Sequence, residues 1–265
     1  MSSIDALFER TRAEDRAALI GYLPAGFPSK ELSIRAVETM VEAGVDLVEV
    51  GLPYSDPVMD GPTIQAAADV ALAGGTRIGD VFDVVKASAA TGAPTVVMSY
   101  WNPVERYGVE RFAADLAAAG GAGLITPDMI PDEADEWIAA STEQGLSRIF
   151  LVAPSSTAAR LAMTAEAASG FVYATAVMGV TGQREQTSSL APELVARLRE
   201  VTGKPVGVGL GVSDGAQARE VAAFADAVIV GSALVRCLLD HADADEALAA
   251  LRALVVDLRA GVERR

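Results

Sequence analysis

Short apolar runs alternate with amphipathic stretches along the whole chain, and this alternation restricts the possible folds more than any other feature. Apolar, β-branched runs separated by helical crossovers are typical of parallel strands that are buried on both faces. Eight such runs predict strands at Ala18–Pro24, Leu47–Pro53, Thr95–Tyr100, Gly123–Asp128, Arg148–Pro154, Phe171–Val177, Pro205–Gly211 and Ala227–Ser232. Eight strand–helix units in about 250 residues match a (β/α)₈ TIM barrel in number and size. We therefore predict a single TIM-barrel domain over residues 1–265, with an extra N-terminal helix near Ile4–Arg12.

A doubly wound open sheet is the competing architecture, because it also alternates strands with helices. No Gly-x-Gly-x-x-Gly motif follows the first predicted strand, which disfavours a dinucleotide-binding sheet. In a barrel, by contrast, catalytic groups lie where the strands end. The search for chemistry therefore starts with the residues at the carboxyl ends of the predicted strands.

The charge balance and the single cysteine narrow the range of partners and compartments. Asp and Glu number 36 against 21 Lys and Arg, which gives a net charge of −15. Such a surface repels nucleic acid and anionic membranes. The lone Cys237 excludes a disulfide framework, and no secretory signal or apolar run of membrane-spanning length is present. We expect a cytoplasmic protein that binds neither nucleic acid nor membrane.

Residue counts also argue against two common kinds of active site. One His and one Cys cannot form a His/Cys metal-binding cluster, so we expect no metal. The three lysines, Lys30, Lys86 and Lys204, fall at a helix start, within a helix and just before a strand. Because barrel active sites lie after strands, a lysine nucleophile that forms a Schiff base is improbable.

Glu49 is a charged residue inside the second predicted strand, where a strand buried on both faces should carry none. Burial there would raise the pKa of the carboxyl toward the range useful to a general acid. The alternative is a structural ion pair inside the barrel. Arg148 is the only arginine within the predicted strands, and it stands near the opposite end of its strand. Position therefore favours a catalytic Glu49.

Other polar residues follow or lie within the predicted strands. Asp56 and Asp60 are on the loop after the second strand, where Asp-Pro and Asp-Gly pairs also suit ordinary turns. Tyr173 lies in the sixth strand, where a core aromatic is the simpler interpretation. The long polar interval Met178–Leu190 is of the kind that forms lids or partner surfaces.

Two glycine clusters end the seventh and eighth strands, at Gly207–Ser213 and at Gly231-Ser232. Backbone without side chains lets a phosphate approach amide N–H groups and a helix N-terminus. Barrels frequently bind phosphate at these two loops, although tight strand–helix packing would also use glycine. Thr181-Gly182 in the sixth loop could add a hydroxyl and an N–H group. The pattern favours a phosphate site.

These motifs together are similar to a known family. Residues 48–57 (VEVGLPYSDP) and 60–65 (DGPTIQ) resemble the signature of the tryptophan synthase alpha chain family. Shorter matches follow in the same order at Asn102-Pro103, Gly179–Gly182, Gly209–Ser213 and Gly231-Ser232. The resemblance covers essentially the whole chain. It implies a TIM barrel that cleaves indole-3-glycerol phosphate into indole and glyceraldehyde 3-phosphate.

The resemblance also implies roles for individual residues. It implies that Glu49 and Asp60 are the catalytic pair and that Tyr173 and Leu210 line the substrate pocket. The phosphate contacts it implies are Thr181, Gly182, Gly211, Gly231 and Ser232. It further implies an α₂β₂ complex with a beta chain, contacted here through Pro53, Asp56 and Asn102. We expect no cofactor in this chain, because pyridoxal phosphate belongs to the beta chain of such a complex.

Three alternatives remain open from the sequence. A phosphosugar or aminoimidazole isomerase would also use a barrel, two carboxylates and terminal phosphate loops. A free-standing indole-3-glycerol phosphate lyase would release indole without a partner. A vestigial subunit that only activates the beta chain would need neither Glu49 nor Asp60, so the presence of both argues against it.

Overall fold

Eight parallel strands close into a barrel in the computed structural model, which describes residues 2–175, 190–209 and 211–263. Each strand pairs with its neighbours in chain order, and the eighth pairs with the first. The strands are β1 (Ala18–Pro24), β2 (Leu47–Gly51), β3 (Thr95–Met98), β4 (Gly123–Thr126), β5 (Ser147–Val152), β6 (Val172–Thr175), β7 (Val206–Gly209) and β8 (Ala227–Val230). The predicted TIM barrel is confirmed, and the open sheet is excluded.

Helices fill the intervals between the strands. In the described part of the chain they are α1 (Ser3–Ala13), α2 (Lys30–Ala43), α3 (Pro62–Ala73), α4 (Ile78–Ala90), α5 (Trp101–Tyr107), α6 (Val109–Ala118), α7 (Asp135–Gln144), α8 (Ala158–Ala167), α9 (Leu190–Val201), α10 (Gly215–Ala222), α11 (Ser232–Leu239) and α12 (Ala244–Gly261). A short 3₁₀ helix, Pro131–Glu133, precedes α7. Among these described helices, none combines the length and apolarity needed to cross a bilayer.

Side-chain caps fix the starts of several helices. The side chains of Ser29, Thr157, Asp214 and Asp243 each accept a hydrogen bond from a backbone N–H in the first turn of α2, α8, α10 and α12, respectively. Such caps satisfy N–H groups that have no partner within the helix. Ser2 and Asp5 form a reciprocal capping box at α1, which confirms the predicted N-terminal helix.

Several strands end earlier than their sequences suggest, whereas β1 ends at the predicted Pro24. The second was predicted to reach Pro53 and the third to reach Tyr100, whereas hydrogen-bonded pairing stops at Gly51 and Met98. Pro53 and Tyr100 are both buried, so hydrophobic patterning continues after the ladder has ended. The apolar pattern of a sequence indicates which residues are buried, but it does not indicate where the hydrogen bonds between two strands end. The loops that carry the functional site consequently begin inside the protein.

The barrel interior is apolar at its N-terminal end and polar at its carboxyl end. Ile4, Leu7 and Phe8 of α1 join a buried cluster with inward residues of the strands, including Leu47 of β2. Because side chains alternate along a strand, Glu49 lies on the same face as Leu47, two residues nearer the carboxyl end. The helix therefore fills the lower end of the barrel, and the interior is left free for chemistry only at the upper end.

Candidate active site

Glu49 is an almost fully buried ionisable group in β2, toward the carboxyl end of the barrel. The residue is 1% exposed, and its Oε2 atom has no hydrogen-bond partner in the part of the chain that the structure describes. Burial, with a smaller contribution from the negative charge of Asp60, raises the pKa of Glu49 to about 8. At neutral pH the carboxyl is therefore mostly protonated, which is the state a general acid requires.

The predicted structural alternative for Glu49, an ion pair with Arg148, is wrong. The Arg148 guanidinium donates to the Ala167 carbonyl at 3.1 Å and to the Ser141 and Thr142 hydroxyls at 3.2 and 3.0 Å. These partners lie in α7 and α8, the helices that precede and follow β5 in the chain. Arg148 thus ties helices to the outside of the barrel and leaves Glu49 uncompensated.

Asp60 lies on the loop between β2 and α3 and faces the same space. Its Oδ1 accepts a hydrogen bond from the Tyr100 hydroxyl at 3.0 Å, and its carbonyl accepts one from Gln65 Nε2 at 2.7 Å. Burial raises the pKa of Asp60, while the hydrogen bond from Tyr100 opposes that increase. Both its backbone and its carboxylate are therefore held in place by described neighbours.

The two carboxyl groups have different environments, and that difference assigns their protons. Two neighbouring carboxylates in a desolvated site are costly to ionise together. Glu49 Oε2 lacks a described donor, whereas Asp60 has the Tyr100 hydroxyl to stabilise its charge. The shared proton is therefore expected on Glu49, with Asp60 ionised. An acid and a base then face one another at the same pH.

Two tyrosines form further walls of the site. The negative charge of Glu49 adds to burial in raising the pKa of Tyr173, and Asp60 and Glu49 do the same for Tyr22. Glycines make room for both rings, because a Cβ at Gly209 would collide with the Tyr173 hydroxyl and one at Gly51 with the Tyr22 hydroxyl. Tyr173, predicted as a pocket residue, is thus placed beside Glu49 at the carboxyl end of the barrel.

Three of the predicted phosphate residues, Gly211, Gly231 and Ser232, lie just after β7 and β8. Gly231 is the N-cap of α11, and Ser232 is the first residue of that helix, so its positive end opens toward this face of the barrel. Gly211 has φ of +72°, a left-handed conformation that glycine adopts without strain. A Cβ at Gly231 would meet Tyr22 at 3.4 Å, an ordinary contact, so packing alone does not demand glycine there.

The predicted partner-contact residues differ in exposure. Asp56 and Asn102 are exposed near the same face, on the β2–α3 loop and in α5, whereas Pro53 is buried within this chain. Asn102 Nδ2 donates to the Tyr54 hydroxyl at 3.0 Å. Asp56 and Asn102 are thus available to a partner in this structure, and Pro53 is not.

Several predictions fall on parts of the chain that are not described. Thr181, Gly182 and Leu210 lie outside the described residues, as does Met178–Leu190 except for Leu190 itself. Among the residues that are described, no group of three or more His, Cys, Asp or Glu side chains is arranged to hold a metal ion.

Sequence reasoning missed two tyrosines of the site. Tyr22 pairs in register with Glu49 across β1 and β2, and the sequence alone does not fix that register. Tyr100 was included in the third predicted strand and was given no role. Its position just after β3 matches the rule that barrel site residues follow strands.

The fold and the site together define a class of protein. A closed parallel eight-stranded barrel carries a protonated carboxyl and a hydrogen-bonded carboxylate at the carboxyl ends of its strands, next to a glycine-lined helix N-terminus. This arrangement is that of a TIM-barrel enzyme, and its two carboxyl groups are suited to acid–base chemistry.

Comparison with known proteins identifies the family. Residues 8–262 match the family described as tryptophan synthase alpha chain. Proteins of that name from Salinispora arenicola and Acidothermus cellulolyticus are 64% and 60% identical over 262 and 264 residues, which cover 99% and 100% of this chain and 98% of each relative. A chain of Mycobacterium tuberculosis tryptophan synthase superposes with a TM-score of 0.94 at 57% identity, covering 100% of this chain and 99% of that one.

The chain belongs to the tryptophan synthase alpha chain family. It is accordingly a lyase of tryptophan biosynthesis, as the sequence motifs implied.

Proposed function

We propose that Glu49 and Asp60 together catalyse the retro-aldol cleavage of indole-3-glycerol phosphate to indole and glyceraldehyde 3-phosphate. The observation that carries the proposal is the buried Glu49 carboxyl, with a pKa of about 8, beside the Tyr100-bound carboxylate of Asp60. Carbon–carbon cleavage of this kind needs a group that accepts the released electrons. The indole ring can serve as that acceptor once its C3 carbon is protonated.

Both carboxyl groups transfer protons in the proposed reaction. Glu49 donates its proton to indole C3 while Asp60 takes the proton from the ring nitrogen, which produces an imine. The ionised Glu49 then removes the proton from the glycerol hydroxyl next to the ring. The bond between C3 and the side chain breaks, and its electron pair moves through the ring to the nitrogen. Asp60 returns the nitrogen proton, and Glu49 ends the cycle protonated again.

The substrate phosphate is proposed to bind at the loops after β7 and β8. Backbone N–H groups near Gly211, Gly231 and Ser232 would hold it at the N-terminus of α11. The left-handed φ of Gly211 supports this, as does Gly231, where a Cβ would make only an ordinary contact with Tyr22. Thr181 and Gly182 remain proposed contacts from the sixth loop. Tyr173, with Leu210, is proposed as a wall of the indole pocket.

We expect Gly231→Val to weaken substrate binding without unfolding the protein. The added methyl groups would occupy the approach to the α11 N-terminus, and a tenfold rise in KM corresponds to about 1.4 kcal/mol of lost binding. Steady-state kinetics of indole release measure KM. Gly231→Ala is the graded control, because a single Cβ meets only Tyr22 at 3.4 Å. Gly211→Val is less informative, since valine would be strained at φ +72°. An unchanged KM in Gly231→Val would place the phosphate elsewhere.

A beta chain is the proposed partner, and an α₂β₂ assembly is the proposed complex. Family membership implies such a partner, and the solved neighbours include an open form and an aminoacrylate-bound form of tryptophan synthase from M. tuberculosis. Asp56 and Asn102 are the exposed contact residues of this proposal, and Pro53 is a further proposed contact that is buried within this chain. Pyridoxal phosphate is proposed for the beta chain only, and the single cysteine supports a cytoplasmic setting.

We expect the beta chain to raise kcat for indole release at least about tenfold, which requires roughly 1.4 kcal/mol of differential stabilisation. The physical reason is that Asp60 sits on a loop that a partner docked on this face can hold closed. Turnover of purified chain with and without beta chain measures the effect. Asp56→Ala should lower the ratio of activated to basal turnover. Equal turnover with a bound partner would favour a free-standing lyase.

A direct assay separates this function from the isomerase alternative. Purified protein is mixed with indole-3-glycerol phosphate, and released indole and aldehyde are measured in parallel with isomerisation of phosphosugar substrates. Equimolar indole and glyceraldehyde 3-phosphate are expected. Isomerisation without indole release would overturn the proposal.

A further inference from the structure

A chain of side-chain contacts joins the exposed end of α5 to the Asp60 carboxylate. It starts at Asn102, whose Nδ2 donates to the Tyr54 hydroxyl at 3.0 Å. The Tyr54 ring packs on the Tyr100 ring, with centroids 5.4 Å apart and planes 35° apart. The Tyr100 hydroxyl then donates to Asp60 Oδ1 at 3.0 Å. Three side chains in direct contact therefore connect the surface to the proposed base, Asp60.

Tyr100 is tightly held within this chain. It is 5% exposed, and its hydroxyl both donates to Asp60 and accepts a hydrogen bond from the Met59 backbone N–H at 3.0 Å. A shift of its ring would move both the carboxylate and the backbone of the residue before it. Tyr100 lies just outside β3, and the Tyr54 ring packs against its ring.

Tyr54 differs from Tyr100, since its hydroxyl is bound by an exposed residue while its ring packs on Tyr100. Its loop runs from Leu52 to Gly61 and contains no helix or strand. The hydroxyl reaches Asn102, whose Oδ1 in turn accepts a hydrogen bond from Arg106 Nε at 3.2 Å. Asn102 and Arg106 are one turn apart on α5 and are both exposed. Anything that docks on this turn of α5 therefore contacts the group that fixes the Tyr54 ring.

We propose that Tyr54 and Tyr100 are positioning residues that couple occupation of the surface at Asn102 to the placement of the Asp60 carboxylate. The occupant is the beta chain, so the inference rests on the proposed function and deepens it. Coupling of this kind requires that both sites bias the same element, here the stacked tyrosine pair. Neither tyrosine exchanges a proton in the proposed cycle, and both act through the Asp60 carboxylate. Their effect is expected in kcat and in partner activation, not in substrate affinity.

The first test uses hydroxyl deletions in the full chain. Tyr100→Phe is expected to lower kcat for indole release by roughly tenfold, the scale of one hydrogen bond to a charged group, with KM within about twofold. Tyr107→Phe is the matched control, because it deletes a tyrosine hydroxyl that donates to another carboxylate, Asp115, at 2.6 Å outside the site. Thermal melts establish that each variant is folded. Equal kcat in the Tyr100 and Tyr107 variants would contradict the positioning role.

The second test is a double-mutant cycle on partner activation. Tyr54→Phe keeps the ring but removes the bond to Asn102, and Asn102→Ala removes the same bond from the other side. Each is expected to reduce the ratio of kcat with beta chain to kcat without it by about threefold, and the double variant by no more than the larger single effect. The affinity of each variant for the beta chain is measured by titration, and ratios are compared at saturation. Effects that multiply, or a wild-type ratio near one, would overturn the coupling.

These outcomes are separable from failure of the proposed function. If Glu49→Gln and Asp60→Asn lose indole release while the Tyr54 variants behave like Tyr107→Phe, the carboxylate pair stands and the contact path is wrong. If Glu49→Gln retains full activity, the proposed chemistry itself is wrong, whatever the tyrosine variants do.

Discussion

Replacing Glu49 with Gln is expected to lower kcat for indole release by roughly 10²–10⁴-fold, the usual contribution of general acid–base catalysis. An amide has nearly the same shape as a protonated carboxyl group but cannot donate a proton to indole C3 or take one from the glycerol hydroxyl. The measurement is kcat for the purified variant at pH 7, with indole detected directly. Activity within threefold of the parent would contradict the assignment of Glu49.

The stability of the same variant provides an independent control. A carboxyl whose pKa is raised from 4.5 to about 8 in the folded state favours folding only while it is protonated. The unfolded chain releases that proton above its own pKa, so the free energy of unfolding declines as pH rises from about 4.5 toward 8. Glu49→Gln removes this dependence. Its melting temperature should therefore exceed that of the parent at pH 8 and should fall less between pH 5 and pH 8.

Asp60→Asn is expected to reduce kcat by a similar factor, roughly 10²–10⁴-fold, because the variant cannot take the proton from the indole nitrogen. Asn can still accept the hydrogen bond from the Tyr100 hydroxyl, so the loop should keep its position. The negative charge of Asp60 also raises the pKa of Glu49, and that contribution disappears in the variant. Indole release and a ¹³C NMR titration of the Glu49 carboxyl measure both effects.

The two readouts for Asp60→Asn distinguish chemistry from misfolding. If the pKa of Glu49 falls and turnover is lost, the variant is folded around the site and lacks only the base that Asp60 provides. Full turnover with a lower pKa at Glu49 would show that Asp60 acts only through its charge, and the proposed proton transfer at nitrogen would be wrong.

The sequence was sufficient to predict the barrel and to single out Glu49 as a buried carboxyl group, because both predictions depend on residues that are close together in the sequence. Each strand and each helix has its own period of apolar residues, and Glu49 breaks that period in the middle of a buried strand. A single residue out of pattern can be recognised without knowledge of its neighbours in space. The glycine that caps α11 can be recognised in the same way, because the residues that determine a helix start are consecutive in the sequence.

The partners of Asp60 required the structure, because they come from distant parts of the chain. Tyr100 is 40 residues away in sequence and reaches Asp60 only because β2 and β3 are adjacent in the barrel. Tyr22 shows the same limitation, since its place beside Glu49 depends on the register of β1 with β2. Aromatic residues at strand ends look like core residues in a sequence. Only the pairing between strands shows that these aromatic residues lie beside the carboxyl groups of the site.

The pH dependence of kcat/KM for indole-3-glycerol phosphate cleavage tests the central claim most directly, because kcat/KM reports the ionisation of the free enzyme. If a protonated Glu49 begins the reaction, kcat/KM should fall on the alkaline side with an apparent pKa near 8, a value that belongs to the coupled carboxyl pair. The Asp60→Asn variant should move that alkaline limb to lower pH. A profile that stays flat from pH 7 to well above the Glu49 pKa would contradict the account, since Glu49 would then be ionised without loss of activity.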